Sequence, residues 1–169
     1  FIGDYGDPNK VIATNVQSGG MLWSFDVPGS GGGMQYTPAH AHGIILAGGQ
    51  NGKGLYGLDA DTGDSLWFQP VKALYTRSPI IADSQVFIAT TIGLYCIDLF
   101  TGETNWNTNR FTPQHAPAAD AQLVFFTSAD TLYACDQSDG SVIWKNGDVI
   151  LGHYTSLSVD DQSLYVAHD

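Results

Sequence analysis

Leu55-Tyr56-Gly57-Leu58-Asp59-Ala60-Asp61-Thr62-Gly63-Asp64-Ser65-Leu66-Trp67 spells a strand, a tight turn and a second strand in one phrase. The apolar flanks are short and end on a glycine-bearing polar turn, which is the signature of a β-hairpin. The phrase returns at Val11–Trp23, Leu94–Trp106 and Leu132–Trp144, and together the four copies hold every tryptophan of the chain. Successive tryptophans are separated by 44, 39 and 38 residues. A fixed period of about 40 residues marks a repeat architecture, in which one supersecondary unit is copied because it cannot bury its faces alone.

Between phrases lies a second block. Thr37-Pro38-Ala39, Ser78-Pro79-Ile80, Ala116-Pro117-Ala118 and Ser156-Leu157-Ser158 each precede an apolar run: Ile44–Ala47, Val86–Ala89, Leu123–Phe126 and Leu164–Ala167. These runs are rich in β-branched and aromatic residues and bounded by turn formers, so they predict strands. Proline is tolerated at the start of a strand, where no ladder donor is needed. Each period thus predicts four strands. Gly19, Gly63, Gly102 and Gly140 fall where a hairpin turn needs positive φ. Asp59, Asp98 and Asp136, with Asn15 as counterpart, precede the turn, where an Asx side chain accepts its backbone N–H groups. No long stretch has a helical period. The predicted fold is all-β, a β-propeller of four-stranded antiparallel blades.

The small-x-Asp-x-x-Thr-Gly-x-x-x-Trp pattern resembles the tryptophan-docking repeat of the pyrroloquinoline-quinone (PQQ)-type propellers. It is closest at Gly57–Trp67 and Cys96–Trp106, and looser at Ala134–Trp144, where Asp139 replaces Thr. It is loosest at Ala13–Trp23, where Asn15 and Ser18 stand in. Trp-Asp endings and double-glycine strands, the marks of WD40 and kelch repeats, are absent. The resemblance implies that Trp23, Trp67, Trp106 and Trp144 dock between blades, with Ala13, Gly57, Cys96 and Ala134 making room for them.

The expected organisation is an incomplete blade at 1–27, blades at 34–69, 75–108 and 113–146, and an incomplete blade at 153–169. Phe1-Ile2-Gly3 and Tyr165-Val166-Ala167 align with the same strand, so both ends are expected to fall within a blade of a larger protein. Relatives usually close seven or eight blades. A pair of copies sharing one ring, or a four-bladed ring, are the alternatives.

Six basic against seventeen acidic residues give a formal charge of −11. That disfavours nucleic acid, whose binding relies on cationic contacts, and adsorption to anionic lipid. Sixteen of the acids are Asp, many in turns, which fits turn chemistry on a solvated surface. No apolar run approaches the roughly 18 residues of a membrane-spanning helix. Cys96 and Cys135 stand one position apart in the repeat, so they are expected to face opposite sides of their sheets and to be small buried residues rather than a disulfide.

Binding is expected at the residues that enter the innermost strand and line the axial mouth: Tyr36, Arg77, His115, His153 and Tyr154. They bring aromatic, cationic and imidazole groups to loops of a rigid scaffold. His40 and His42 alternate, which would put both on one face for a metal, but a hydrogen-bonding role near a turn is preferred. Asp4–Asn9 lacks the spacing of an EF-hand loop and reads as an acidic hairpin. Gly29–Gly33 lacks the Lys-Ser/Thr of a phosphate cradle. No catalytic residue and no metal ligand is assigned.

The resemblance implies two kinds of role. Quinoprotein dehydrogenases of the family carry PQQ and calcium, a vicinal Cys-Cys disulfide and a Glu/Asn/Asp ligand set. Here no Cys-Cys occurs, and the sole glutamate, Glu103, lies in a repeat turn. Non-catalytic members, such as the outer-membrane assembly lipoprotein of Gram-negative bacteria, bind protein segments. The favoured expectation is a non-catalytic scaffold without cofactor that binds proteins or further blades, in the periplasm, at the cell surface or secreted. A PQQ-dependent alcohol or sugar dehydrogenase segment and a structural repeat of a surface assembly are the alternatives.

Overall fold

In a computed structural model, residues 2–3, 10–28, 37–48, 54–71, 78–113, 115–148 and 155–167 are described. They form five antiparallel sheets and no helix. Three sheets have four strands joined in sequence order. The first of these is β4 (His40–Ala41), β5 (Ile44–Gly48), β6 (Leu55–Asp59) and β7 (Ser65–Gln69). The next is β8 (Ile80–Ala82), β9 (Gln85–Thr90), β10 (Gly93–Asp98) and β11 (Thr104–Asn107). The third is β12 (Ala118–Ala119), β13 (Leu123–Ser128), β14 (Thr131–Asp136) and β15 (Val142–Asn146). Before them lies a three-stranded sheet of β1 (Ile2–Gly3), β2 (Lys10–Thr14) and β3 (Met21–Asp26). After them comes a two-stranded sheet of β16 (Ser156–Val159) and β17 (Leu164–Ala167). This is the blade pattern of a β-propeller, as expected.

Strand chemistry explains the order within a blade. β5, β9 and β13 are paired on both edges and buried along nearly their whole length, which matches their unbroken apolar runs. The tryptophan strands lie at the outer edge, and only alternate residues turn inward. Prolines 38, 79 and 117 precede the innermost strands and take no ladder position. In all four repeats the register slips at the same place: Ala13/Thr14, Gly57/Leu58, Cys96/Ile97 and Ala134/Cys135. An extra residue there bends the outer strand just beyond the cross-strand pair that sets each tryptophan against its small partner: Ala13, Gly57, Cys96 or Ala134.

The chain gathers into two compact units, Phe1–Ser78 with Leu99–Glu103, and Pro79–Asp98 with Thr104–Asp169. The core of the first joins Val11, Ala13 and Trp23 to Ile45, Ala47 and Leu58. That of the second joins Phe87, Ala89, Leu94 and Cys96 to Val124, Phe126 and Cys135. Cys96 and Cys135 do lie on alternate sides of their strands. Because successive sheets stack, however, opposite faces meet in one layer, and both thiols enter the same core. They are free. Burial pushes each up to about 11, so neither is a ready nucleophile.

Candidate functional site

The turn of each phrase builds a seat. Asp59 Oδ1 accepts the backbone N–H groups of Asp61 (2.9 Å) and Thr62 (2.8 Å). Those bonds hold its carboxyl below the usual range, the Thr62 contact most. Asn15 repeats the arrangement toward Gln17 and Ser18, and Asp136 toward Ser138. The turn closes with Gly63 at φ +79°. A Cβ there would lie 2.6 Å from the Trp23 ring. Glycine is therefore needed twice, for its dihedral and for the indole laid against it.

Three indoles use such seats. Trp23 Nε1 donates to the Ala60 carbonyl (2.9 Å), and Trp67 Nε1 to that of Leu99 (2.8 Å), within the first unit. Trp106 Nε1 donates to the Gln137 carbonyl (2.8 Å) within the second. Gly102 and Gly140 meet Trp67 and Trp106 as Gly63 meets Trp23. Trp23 and Trp67 are each 9 % exposed. Trp144 differs. It is 37 % exposed, its ring centroid lies 5.9 Å from that of Phe125, and among the described residues its indole N–H has no acceptor.

Of the expected mouth residues, Tyr36, Arg77, His153 and Tyr154 lie outside the described residues. His115 is half-buried, and its Nδ1 lies 2.8 Å from Thr127 Oγ1. The chain beside it is tied down: Pro113 bridges to Ser128, and the Thr112 N–H donates to Ser128 Oγ (3.1 Å). Arg110 stacks over Phe111 at 5.4 Å, and Phe111 packs on Phe126 and Tyr133. Sequence reading missed this cation–π contact, because Arg110 and Phe111 have no repeat counterpart to draw the eye.

His40 and His42 do not share a strand face. His40 is in β4, whereas His42 sits in the following turn at φ +50°, which breaks the alternation. The His42 ring packs on Phe100 at 5.8 Å. Among the described residues no three His, Cys, Asp or Glu side chains converge as a metal cluster. Asp4–Asn9 and Gly29–Gly33 lie outside the described residues. The two thiols are separate core residues, and Glu103 stands exposed in its turn.

One cleft, of about 760 Å³, opens in the second unit at the hairpin end of its sheets. The β8–β9 turn (Asp83, Ser84), the β12–β13 turn (Ala121, Gln122) and the β14–β15 turn (Asp136–Ser138) line it, with Ile143 at its side. Gln137 braces the wall by donating to the carbonyls of Asp120 (2.8 Å) and Leu123 (3.1 Å). Asp83 adopts φ +53°, a conformation Asp tolerates through local hydrogen bonding. Carboxylate, amide and hydroxyl groups here alternate with the apolar side chains of Ala121, Leu123 and Ile143, a mixed lining that suits an extended chain segment carrying both polar and apolar side chains.

Comparison with known proteins places this geometry. BamB from Moraxella catarrhalis superposes with a TM-score of 0.76 at 20 % identity, over 99 % of this chain and 57 % of its own. The computationally designed Ika8 protein gives 0.78 at 18 % identity, over 97 % and 50 %. Quinohemoprotein alcohol dehydrogenase from Comamonas testosteroni gives 0.71 at 15 % identity, over 85 % and 32 %. The chain thus spans about half the length of the first two. At these identities the likeness is one of fold. No curated protein matches the chain. The model of the PQQ-like propeller family described as outer membrane protein assembly factor BamB matches residues 5–146, and the chain belongs to that family.

Proposed function

We propose that this chain is a non-catalytic propeller scaffold that binds extended protein segments outside the cytoplasm. The observation that carries the reading is the family match over residues 5–146, to a family described by an outer-membrane assembly factor. The geometry supports it. Three of the four indoles, the two thiols and the Asx carboxylates of the turns already have structural roles, while the cleft between Asp83 and Ile143 is open to a ligand. The mouth residues Tyr36, Arg77, His115, His153 and Tyr154 form a second proposed contact region.

The test is an amide-shift titration with an extended peptide alternating lysine and apolar residues. Shifts are expected at Asp83–Gln85, Gln122 and Gln137–Ser138, weakened by Asp83→Asn. In parallel, the protein is given PQQ, calcium, an alcohol and a dye acceptor. Dye reduction would replace the scaffold reading with a dehydrogenase.

A further inference from the structure

Two positions of the repeat are filled in the first unit and left open in the second. His42 and Asp83 share one of them, the residue after the innermost strand, and both hold a left-handed φ, +50° and +53°. Phe100 and Ser138 share the other, since each follows the residue whose carbonyl receives an indole, Leu99 or Gln137. In the first unit His42 packs on Phe100, with ring centroids 5.8 Å apart. In the second unit the pair is Asp83 and Ser138, and there the cleft of about 760 Å³ opens. A carboxylate and a hydroxyl stand where two rings stood.

The rest of the lining states what fits. Ile143 is the extra residue of the β15 bulge, between Val142 opposite Cys135 and Trp144 opposite Ala134. Bulges re-aim side chains, and this one brings Ile143, 55 % exposed, to the cleft wall. Its counterpart in β11, Asn105, turns its amide onto Cys96 Sγ (3.8 Å) instead. Ala121 and Leu123 continue the apolar wall. Facing it are the carboxylates of Asp83, exposed at the rim, and Asp136, whose Oδ1 accepts the Ser138 N–H (2.8 Å) and hydroxyl (2.6 Å). No lysine or arginine is among the described residues of the lining.

We infer that this cleft is a pocket for an aromatic side chain of a bound extended segment, with a neighbouring lysine or arginine of that segment paired to Asp83. The ring takes room equivalent to that which His42 and Phe100 fill in the first unit, against Ile143 and Leu123. Its positively polarised edge turns toward the carboxylates. Charge complementarity selects the cation, from a rim with two carboxylates on a chain of formal charge −11. The volume exceeds the needs of one ring and leaves space for the alkyl stem of the cation. The pocket rests on the scaffold reading and gives it a side-chain specificity.

Calorimetric titration of the 169-residue chain tests this with three extended peptides. They share alternating lysines and differ at one central residue, Phe, Leu or Ala. The Phe peptide is expected to bind at least about tenfold more tightly than the Ala peptide, as for a buried aromatic anchor, with Leu between. Asp83→Asn should weaken the Phe peptide, and replacing the lysine beside the ring by glutamine should remove that difference. Asp83→His combined with Ser138→Phe installs the residues that the first unit carries at these positions. It is expected to close the cleft and lower the Phe peptide to the affinity of the Ala peptide. The peptide series decides the matter even where this filled variant does not fold. Equal affinity of the Phe and Ala peptides, or a folded filled variant that keeps the preference, overturns the pocket and leaves the scaffold reading standing. Absence of binding by all three peptides overturns both.

Discussion

Trp67 and Trp144 close the same phrase, each opposite a small cross-strand residue, Gly57 or Ala134. Yet one is buried with its N–H bonded to Leu99, and the other stands 37 % exposed. Their own strands do not account for the difference. A neighbouring Asx turn with glycine at positive φ receives Trp67, and among the described residues none receives Trp144. Indole burial in this fold is thus a property of a pair of repeats. Energy in such an array resides largely at the interfaces between neighbours.

The comparison can be broken most directly at the indoles. Trp67→Ala is expected to lower unfolding stability by about 3–5 kcal/mol, as for a large aromatic removed from a core. Trp144→Ala should cost under about 1 kcal/mol. Equal losses in denaturant titrations would show that the two sites are equivalent after all. The seats give a sharper version. Gly63→Ala must both hold a left-handed dihedral and displace Trp23, on the order of 3 kcal/mol, whereas Gly19→Ala bears only the dihedral cost of about 1–2 kcal/mol. Thermal melts of the two variants measure the gap.

The thiols of the second unit test whether its core is as closed as the docked indole Trp106 implies. Their folded values, near 11, lie above the ordinary value of 9.0. The folded state therefore holds protons that the unfolded chain releases. Their stabilising effect is complete below about pH 9 and declines as pH rises toward 11, by roughly 2 kcal/mol per thiol. A Cys135→Ala variant should show a shallower alkaline loss in pH-dependent unfolding.

The smallest effect belongs to the turns. Asp59 is held below the usual carboxylate range by the Thr62 and Asp61 N–H groups. Its contribution is present above the unfolded value and fades as pH falls through the folded one. Asn15 makes the same contacts without titrating. Asp59→Asn should therefore reduce the acid sensitivity of folding with little change at neutral pH, as followed by acid titration of tryptophan fluorescence.

Much of this was legible from residue order. The phrase ending at Trp67 carries its strand period, its turn glycine and its Asx residue within thirteen positions, and such local chemistry acts without help from distant chain. The candidate site was less legible. His42 reads as a strand residue until the turn at Gly43 places it at positive φ. The cleft at Asp83, Gln122 and Gln137 gathers three turns from two sheets, with no shared pattern in sequence. The thiols were correctly read as facing opposite ways, but only stacking brings opposite faces together.

The order of residues by itself determined the blade: four antiparallel strands, the turn glycine at positive φ and the Asx residue that precedes it. These follow from dihedral preference, pleat alternation and side-chain size, all short-range. Only the tertiary structure decided which indoles are covered, which thiols share a core and where a cleft opens. Those outcomes depend on the face a neighbouring sheet presents, and that face is supplied by residues about 30 to 40 positions away.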